Sequence, residues 1–255
     1  VHPEHPDIPI IGEAKAPPVR VAISIPTHAH VPFVFAYDLA RLLGWSAGQV
    51  PHEQLAITLN ASEGTYIHRM RQTLVEAAIK TDATHILFLD TDMRFPQETL
   101  LHLLTWRQPI VGINYATRRV PAQFVAVKER VGEKREPVRL VTKADSTGLE
   151  EVESMGFGVT LIQLGVFAEL GSPPWFQNVW DEDIKRWVGE DTWFCLRARE
   201  AGLSILVDHD LSKECAHVGQ FEFGTEHAEF CGVTEASNGD QHLRESSDND
   251  QELAE

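Results

Sequence analysis

Apolar and polar positions change period several times along this chain. Val19 to Ile25 is an apolar, β-branched run that stops at Pro26, which predicts a first strand. Phe33 to Leu43 sets Asp38 and Arg41 against an apolar face and ends at Gly44, the pattern of a helix. Leu55 to Leu59 predicts a second strand running into the turn residues Asn60 to Gly64. From Ile67 to Lys80 the apolar positions Ile67, Met70, Leu74, Ala77 and Ala78 recur at helical spacing, with Arg69, Arg71 and Gln72 between them. His85 to Leu89 reads as a third strand and Pro96 to Trp106 as a helix with proline in its first turn. Pro109 to Ile113 is a fourth strand.

Strands alternating with helices predict an α/β fold, a mixed, mainly parallel sheet covered by helices on both faces. The second half is less regular. Phe124 to Lys128 and Val138 to Thr142 read as strands flanking a charged turn at Val131 to Glu136. Val159 to Leu164 is another strand, Asp191 to Ala201 a helix ended by Gly202, and Ser204 to Val207 a last strand. There is no internal repeat. The expected organisation is a proline-rich extended segment over residues 1–18, one domain over 19–235 with a nucleotide-binding half at 19–115, and an acidic disordered tail over 236–255.

Composition narrows the class. With 255 residues and 43% hydrophobic side chains, the chain is long enough for one large core or two small ones. No apolar run approaches the roughly 20 residues of a membrane span. No basic-headed apolar segment points to secretion, and the first residue, Val1, suggests a processed or trimmed start. Three cysteines (Cys195, Cys215, Cys231) are too few for a disulfide framework, so a cytoplasmic location is expected. The formal charge of −16 disfavours a broad phosphate-binding surface. Six acids (Asp240, Glu245, Asp248, Asp250, Glu252, Glu255) and one base (Arg244) fall in the tail, which therefore holds close to a third of the excess. A small anionic ligand held by a metal ion and a few arginines stays compatible with the remainder.

Three constellations carry candidate chemistry. Asp90-Thr91-Asp92 sits where the apolar run Ile86 to Leu89 ends, and ligands of open α/β sheets bind outside the carboxyl ends of strands. Two carboxylates there suit a hard divalent cation that bridges to phosphates, or Asp92 simply starts the next helix. Gly189-Glu190-Asp191 opens a helix, where acids favour the helix dipole or take a proton from an attacking hydroxyl. Cys215, His217, His227 and Cys231 invite a zinc reading, against which stands the absence of paired Cys-x2-Cys knuckles.

The order of these pieces resembles a known family. Ile25-Pro26-Thr27, Arg71-Gln72 on a helix, and Leu87-Phe88-Leu89-Asp90-Thr91-Asp92-Met93 are followed by Pro109-Ile110-Val111-Gly112 with Tyr115 and Arg118. Met155-Gly156-Phe157-Gly158, the Gly189 to Cys195 stretch and Ala216-His217-Val218-Gly219 complete the set. The chain from Val19 to Gly219 resembles GT-A type glycosyltransferases, the small bacterial and phage enzymes related to glycosyltransferase family two. The resemblance implies a metal-dependent transfer of a sugar from a nucleotide-sugar, most simply a UDP-sugar, to a hydroxyl of a glycan, a protein or a phage-type modified DNA base. It implies Mn²⁺ or Mg²⁺ held by the Asp-x-Asp motif (DXD), Asp90 and Asp92, with His217. Pro26, Thr27, Arg71, Asp90 and Thr91 would line the nucleotide, and Met155 to Gly158 would lie beside sugar and acceptor. Asp191 would be the base, with Glu190 as neighbour and substitute, and residues 116–235 would form the acceptor half. His28 after Pro26-Thr27 and Gln72 after Arg71 depart from the family pattern and touch the nucleotide contacts.

Trp175, Phe176, Trp180, Trp187 and Trp193 offer stacking faces for sugar rings or ordinary core packing. Pro173-Pro174 and Asp181 to Asp183 mark a loop. The basic stripe Arg118, Arg119, Lys128, Arg130, Lys134, Arg135 and Arg139 reads first as a solvated hairpin and second as a surface for a nucleic-acid backbone. Two other classes remain: a GT-A-like nucleotide- or glycan-binding module without turnover, and a nucleotidyltransferase. The second would normally carry a Gly-rich, basic loop after the first strand, and Pro26 to Val31 holds neither Gly nor Lys.

Overall fold

The apolar runs are the strands of one sheet. The computed structural model describes residues 18–119, 121–132, 135–183 and 185–219, with the backbone of 222–223. The proline-rich segment before residue 18, the acidic tail, His227 and Cys231 lie outside the described residues. The first half contains β1 (Val19–Thr27), α1 (Phe33–Gln49), β2 (Leu55–Glu63), α2 (Ile67–Lys80), β3 (His85–Leu89), β4 (Met93–Arg94), α3 (Thr99–Thr105) and β5 (Ile110–Ile113). The second begins with β6 (Val127–Val131), β7 (Glu136–Arg139), β8 (Leu149–Val152), β9 (Val159–Gln163) and α4 (Gly165–Glu169). It continues with β10 (Val179–Asp181), β11 (Arg186–Val188), α5 (Glu190–Glu200), β12 (Ile205–Asp208), α6 (His209–Ser212), β13 (Ala216–Val218) and β14 (Glu222–Phe223).

Seven strands form the main sheet in the order β2-β1-β3-β9-β5-β12-β8. β2, β1, β3, β5 and β12 run in one direction; β9, inserted between β3 and β5, and the edge strand β8 run against them. The sheet is therefore mixed and mainly parallel, as expected. Val21, Ile23, Leu87 and Leu89 face one side with Phe35 and Leu42 of α1, Leu100 and Leu103 of α3 and Leu211 of α6. Ala22, Ile86 and Phe88 face the other with Leu74, Val75 and Ala78 of α2, Val166 and Phe167 of α4 and Phe194 and Ala198 of α5. Cover on both faces explains why these strands read as unbroken apolar runs.

Several boundaries differ from expectation, each for a local reason. α1 runs through Gly44 to Gln49 because its buried face continues to Ser46, while Val50, extended before Pro51, ends it. Asp38, expected on the polar side of that helix, is 3% exposed and accepts from Arg94 Nε at 2.5 Å. β2 absorbs most of the expected turn Asn60 to Gly64: Asn60 to Glu63 pair in parallel with β1, and the Gly64 amide donates to the Thr27 carbonyl. α3 starts at Thr99, whose hydroxyl donates to the Pro96 carbonyl across an intervening turn. The hairpin expected from Phe124 and Val138 forms nearer its charged turn, as β6 and β7, and Phe124 packs instead with Ala116 and Ala122. β8 and the β10–β11 hairpin were not expected, since Leu-Glu-Glu-Val and short Trp-bearing strands carry little apolar alternation. Among the described residues no helix is long and apolar enough to cross a membrane.

Candidate active site

The co-directional strands deliver their carboxyl ends to one edge of the sheet. Thr27 lies at the end of β1 and Asp90-Thr91-Asp92 follows β3, its neighbour. The Asp90 amide donates to the Gly158 carbonyl at 2.9 Å, and Met93 closes the turn by donating to the Asp90 carbonyl. Met93 then pairs with His217 in the register of β4 and β13, and the Val218 amide donates to the Asp92 carbonyl at 2.7 Å. Backbone hydrogen bonds thus bring the Asp-x-Asp turn and the late histidine together.

His217 is fixed from two sides. Its Nδ1 lies 3.0 Å from the Ala116 carbonyl, which can only accept, so Nδ1 carries a proton. Tyr115 meets the ring edge-on at 5.2 Å. Nε2 is thereby aimed at Asp92 Oδ2, 3.2 Å away. Arg118 Nη1 reaches the same oxygen at 3.0 Å. Burial acts to raise the Asp92 pKa, but the His217 hydrogen bond and the charges of His217 and Arg118 outweigh it and hold the carboxyl below its ordinary range. Among the described residues no group of three or more His, Cys, Asp or Glu side chains is arranged to hold a metal. Of the three ligands expected, the structure joins Asp92 and His217.

Asp90 is engaged elsewhere. Both of its oxygens lie within 3.0 Å of Arg71 Nη2. Arg71 Nη1 is 3.4 Å from Glu190 Oε1, and the guanidinium lies 5.3 Å from the Phe157 ring centre and 5.7 Å from that of Phe88. The sequence places Arg71 along the nucleotide; in the structure its side chain is 3% exposed and turned to the carboxylates. Burial alone would lower its pKa, yet Asp90, Glu190 and Asp191 together raise it, so the guanidinium stays charged.

Glu190 and Asp191 form the first turn of α5, behind Gly189. Glu190 is 9% exposed and faces Arg71, whereas Asp191 is half-buried and accepts from the Thr192 amide at 2.6 Å. Burial and then the like charge of Glu190 raise the Asp191 pKa, with Arg71 opposing them.

Other expected site residues fall into two groups. Pro26 is buried, and Thr27 and Thr91 are half-buried at the sheet edge. Met155 to Gly158, expected beside sugar and acceptor, are all buried and act as seating. A Cβ at Gly156 would lie 2.3 Å from Tyr115 Oη, and one at Gly158 would lie 2.9 Å from Met93 Sδ. These glycines let Tyr115 reach His217. Trp175 and Phe176 belong to the core, while Trp180 and Trp187, 42% and 69% exposed, pair across the β10–β11 hairpin. The Cys215 thiol is buried and pushed well up in pKa, a poor zinc ligand. The basic stripe is largely neutralised: Lys128 meets Glu150, Arg130 meets Glu153 and Arg135 meets Asp181.

Sequence reasoning missed Asn114. It is fully buried, accepts from the Ala126 amide and donates to the Leu140 carbonyl, which ties the end of β5 to the segment around β6 and β7. An asparagine directly after an apolar strand was its one visible signal.

No protein-family model matches the chain, and none of the curated proteins matches it in sequence. Among solved structures the chain is similar to A197 from STIV, at 13% identity and a TM-score of 0.55, over 88% of this chain and 100% of that one. The fold is of the GT-A type. The chain is also similar to GalNAc-T7 with UDP, GalNAc and Mn²⁺, at 11% identity and a TM-score of 0.49, covering 80% of this chain and 44% of that one. TarS of S. aureus aligns at 14% identity and a TM-score of 0.40, over 74% of this chain and 35% of that one. The chain thus spans less than half the length of the latter two.

Proposed function

We propose that the chain is a metal-dependent glycosyltransferase that moves a sugar from a nucleotide-sugar, expected to be a UDP-sugar, to a hydroxyl acceptor. The observation that carries this reading is the meeting, at the carboxyl edge of the sheet, of the Asp92–His217 pair with the Asp90, Glu190 and Asp191 carboxylates gathered around Arg71. Asp92 and His217 fit a divalent cation. They offer one hard oxygen and one imidazole nitrogen, and the second ring nitrogen is already committed to a carbonyl, as metal-bound histidines require. Asp90, committed to Arg71, contributes charge nearby. Bound there, Mn²⁺ or Mg²⁺ would neutralise the charge that builds on a departing diphosphate.

The protein's own groups divide the remaining work. Thr27 and Thr91, with the buried Pro26 at the end of β1, border the nucleotide. Arg71 positions Glu190, and Glu190 raises the proton affinity of Asp191 beside it. Asp191 accepts the acceptor's hydroxyl proton, a role its half-buried place at the start of α5 permits. The paired state of Lys128, Arg130 and Arg135 favours a glycan or protein hydroxyl over DNA as acceptor.

Transfer and donor hydrolysis measured over a panel of nucleotide sugars, with and without Mn²⁺, test this reading. Activity that needs the cation and is lost in Asp92→Ala is expected. Undiminished turnover in Asp92→Ala would sink the metal assignment. Tight nucleotide binding without transfer or hydrolysis would establish a binding module instead.

A further inference from the structure

We propose that Arg118 competes with the cation for Asp92 and is drawn away by the donor's diphosphate, so that cation and donor bind cooperatively. This rests on the metal reading above. The observation behind it is that one oxygen, Asp92 Oδ2, serves two neighbours: the imidazole Nε2 of His217 at 3.2 Å and the guanidinium Nη1 of Arg118 at 3.0 Å. A divalent ion arriving at that oxygen meets a guanidinium already on it, and like charges at such a separation repel strongly. One of the two must leave.

The two arginines of the site differ in whether they can. Arg71 is 3% exposed, lies against two phenylalanine rings and is held by carboxylates on two elements. Arg118 is 48% exposed on the segment that follows β5, and its partner Asp92 is 30% exposed, so their ion pair is reached by solvent. The same short segment contributes the Tyr115 ring and the Ala116 carbonyl that orient His217. Arg118 is therefore anchored at its backbone beside the cation ligands while its head group can turn.

A guanidinium released from a carboxylate is suited to a diphosphate, which it meets with paired, charge-assisted hydrogen bonds. The donor then supplies the anion that Arg118 gives up at Asp92. Each ligand removes an obstacle to the other, and such coupling is reciprocal. Arg118 acts here as a positioning residue, through Asp92 when the site is empty and on the phosphates when it is filled.

Calorimetry on the full chain tests this, with Mn²⁺ titrated alone and UDP titrated with and without saturating Mn²⁺. Wild type should bind Mn²⁺ weakly alone, and Mn²⁺ should strengthen UDP binding markedly. Arg118→Gln should bind Mn²⁺ alone about three- to fivefold more tightly, the range expected for losing a partly exposed ion pair. In that variant Mn²⁺ should strengthen UDP binding less. Arg118→Lys, which keeps the charge, should restore the weak Mn²⁺ binding of wild type, an effect that general loosening of the segment would not produce. If Arg118→Gln matches wild type for Mn²⁺ alone and for UDP with Mn²⁺, this inference fails and the metal site stands. If wild type binds no Mn²⁺ in either setting, both fall.

Discussion

Replacing Arg71 by Met tests the centre of the site. The substitution removes a buried cation and leaves Asp90, Glu190 and Asp191 facing one another without it. Breaking a buried pair by deleting one partner costs about 3–5 kcal/mol. Methionine still fills the space between Phe88 and Phe157, which places the loss near the lower end, about 3 kcal/mol. For a domain of this size each kcal/mol lowers Tm by about 2–4 °C, so a fall of about 6–12 °C near neutral pH is expected. The loss should depend on pH. Without Arg71 the pKa values of Asp90 and Asp191, both already raised by burial, move further above those of the unfolded chain. A folded state with raised carboxyl pKa values binds protons more tightly than the unfolded one, so it gains as pH falls and loses as pH rises. Thermal melts of wild type, Arg71→Met and Arg71→Lys between about pH 5 and pH 8 should show the Met penalty shrinking toward the acid end. Lysine should recover part of it. A Met variant that melts within about 2 °C of wild type at neutral pH, or a penalty flat with pH, would refute the account of Arg71 as the charge that holds these carboxylates together.

Asp191→Asn should lower kcat by about 10²–10⁴-fold, the usual worth of a general base, with little change in UDP affinity by calorimetry; equal loss in both would deny it a part in the chemistry. Gly156→Ala should destabilise by about 1–3 kcal/mol, because its Cβ would lie 2.3 Å from Tyr115 Oη, and adding Tyr115→Phe should return part of that in urea melts. The Asp208 hydrogen bond, 2.6 Å long, outweighs burial and raises the His102 pKa. That pair stabilises fully below the unfolded histidine pKa of about 6.5 and loses its effect as pH rises through the folded value. The stability gap between wild type and His102→Gln should therefore narrow at alkaline pH.

The first half of the fold was legible because its central strands, β1, β3 and β5, are buried on both faces and its helices on one. Ile86 to Leu89 could hardly be anything but a central strand, and the acids that follow it stood out against it. Long-range relations were not legible. Nothing local shows that Arg71 turns inward, since the cause is two carboxylates on other elements and two phenylalanine rings. Gly156 and Gly158 read as ligand-side glycines because the reason for their small size, Tyr115 after β5 and Met93 in β4, sits elsewhere in the chain. β8 escaped notice because two acids, Glu150 and Glu151, break its apolar pattern. Glu150 meets Lys128 across the surface, and an edge strand has no second neighbour to demand apolar cover. The pairing of Asp92 with His217 was available only from the ordering of motifs, never from their spacing.

That pairing also has a bearing on how the protein is made. Asp92 leaves the ribosome long before His217, with most of the domain between them, and the two are joined by the main chain of β4 and β13. The strands that bury the core before then, β1, β3, β9 and β5, can already be in register. A nascent or truncated chain ending before residue 216 would carry the Asp-x-Asp turn and its arginine, yet lack the imidazole. The proposed cation site is then among the last parts of the fold to be completed, because its imidazole joins Asp92 only when β13 pairs with β4.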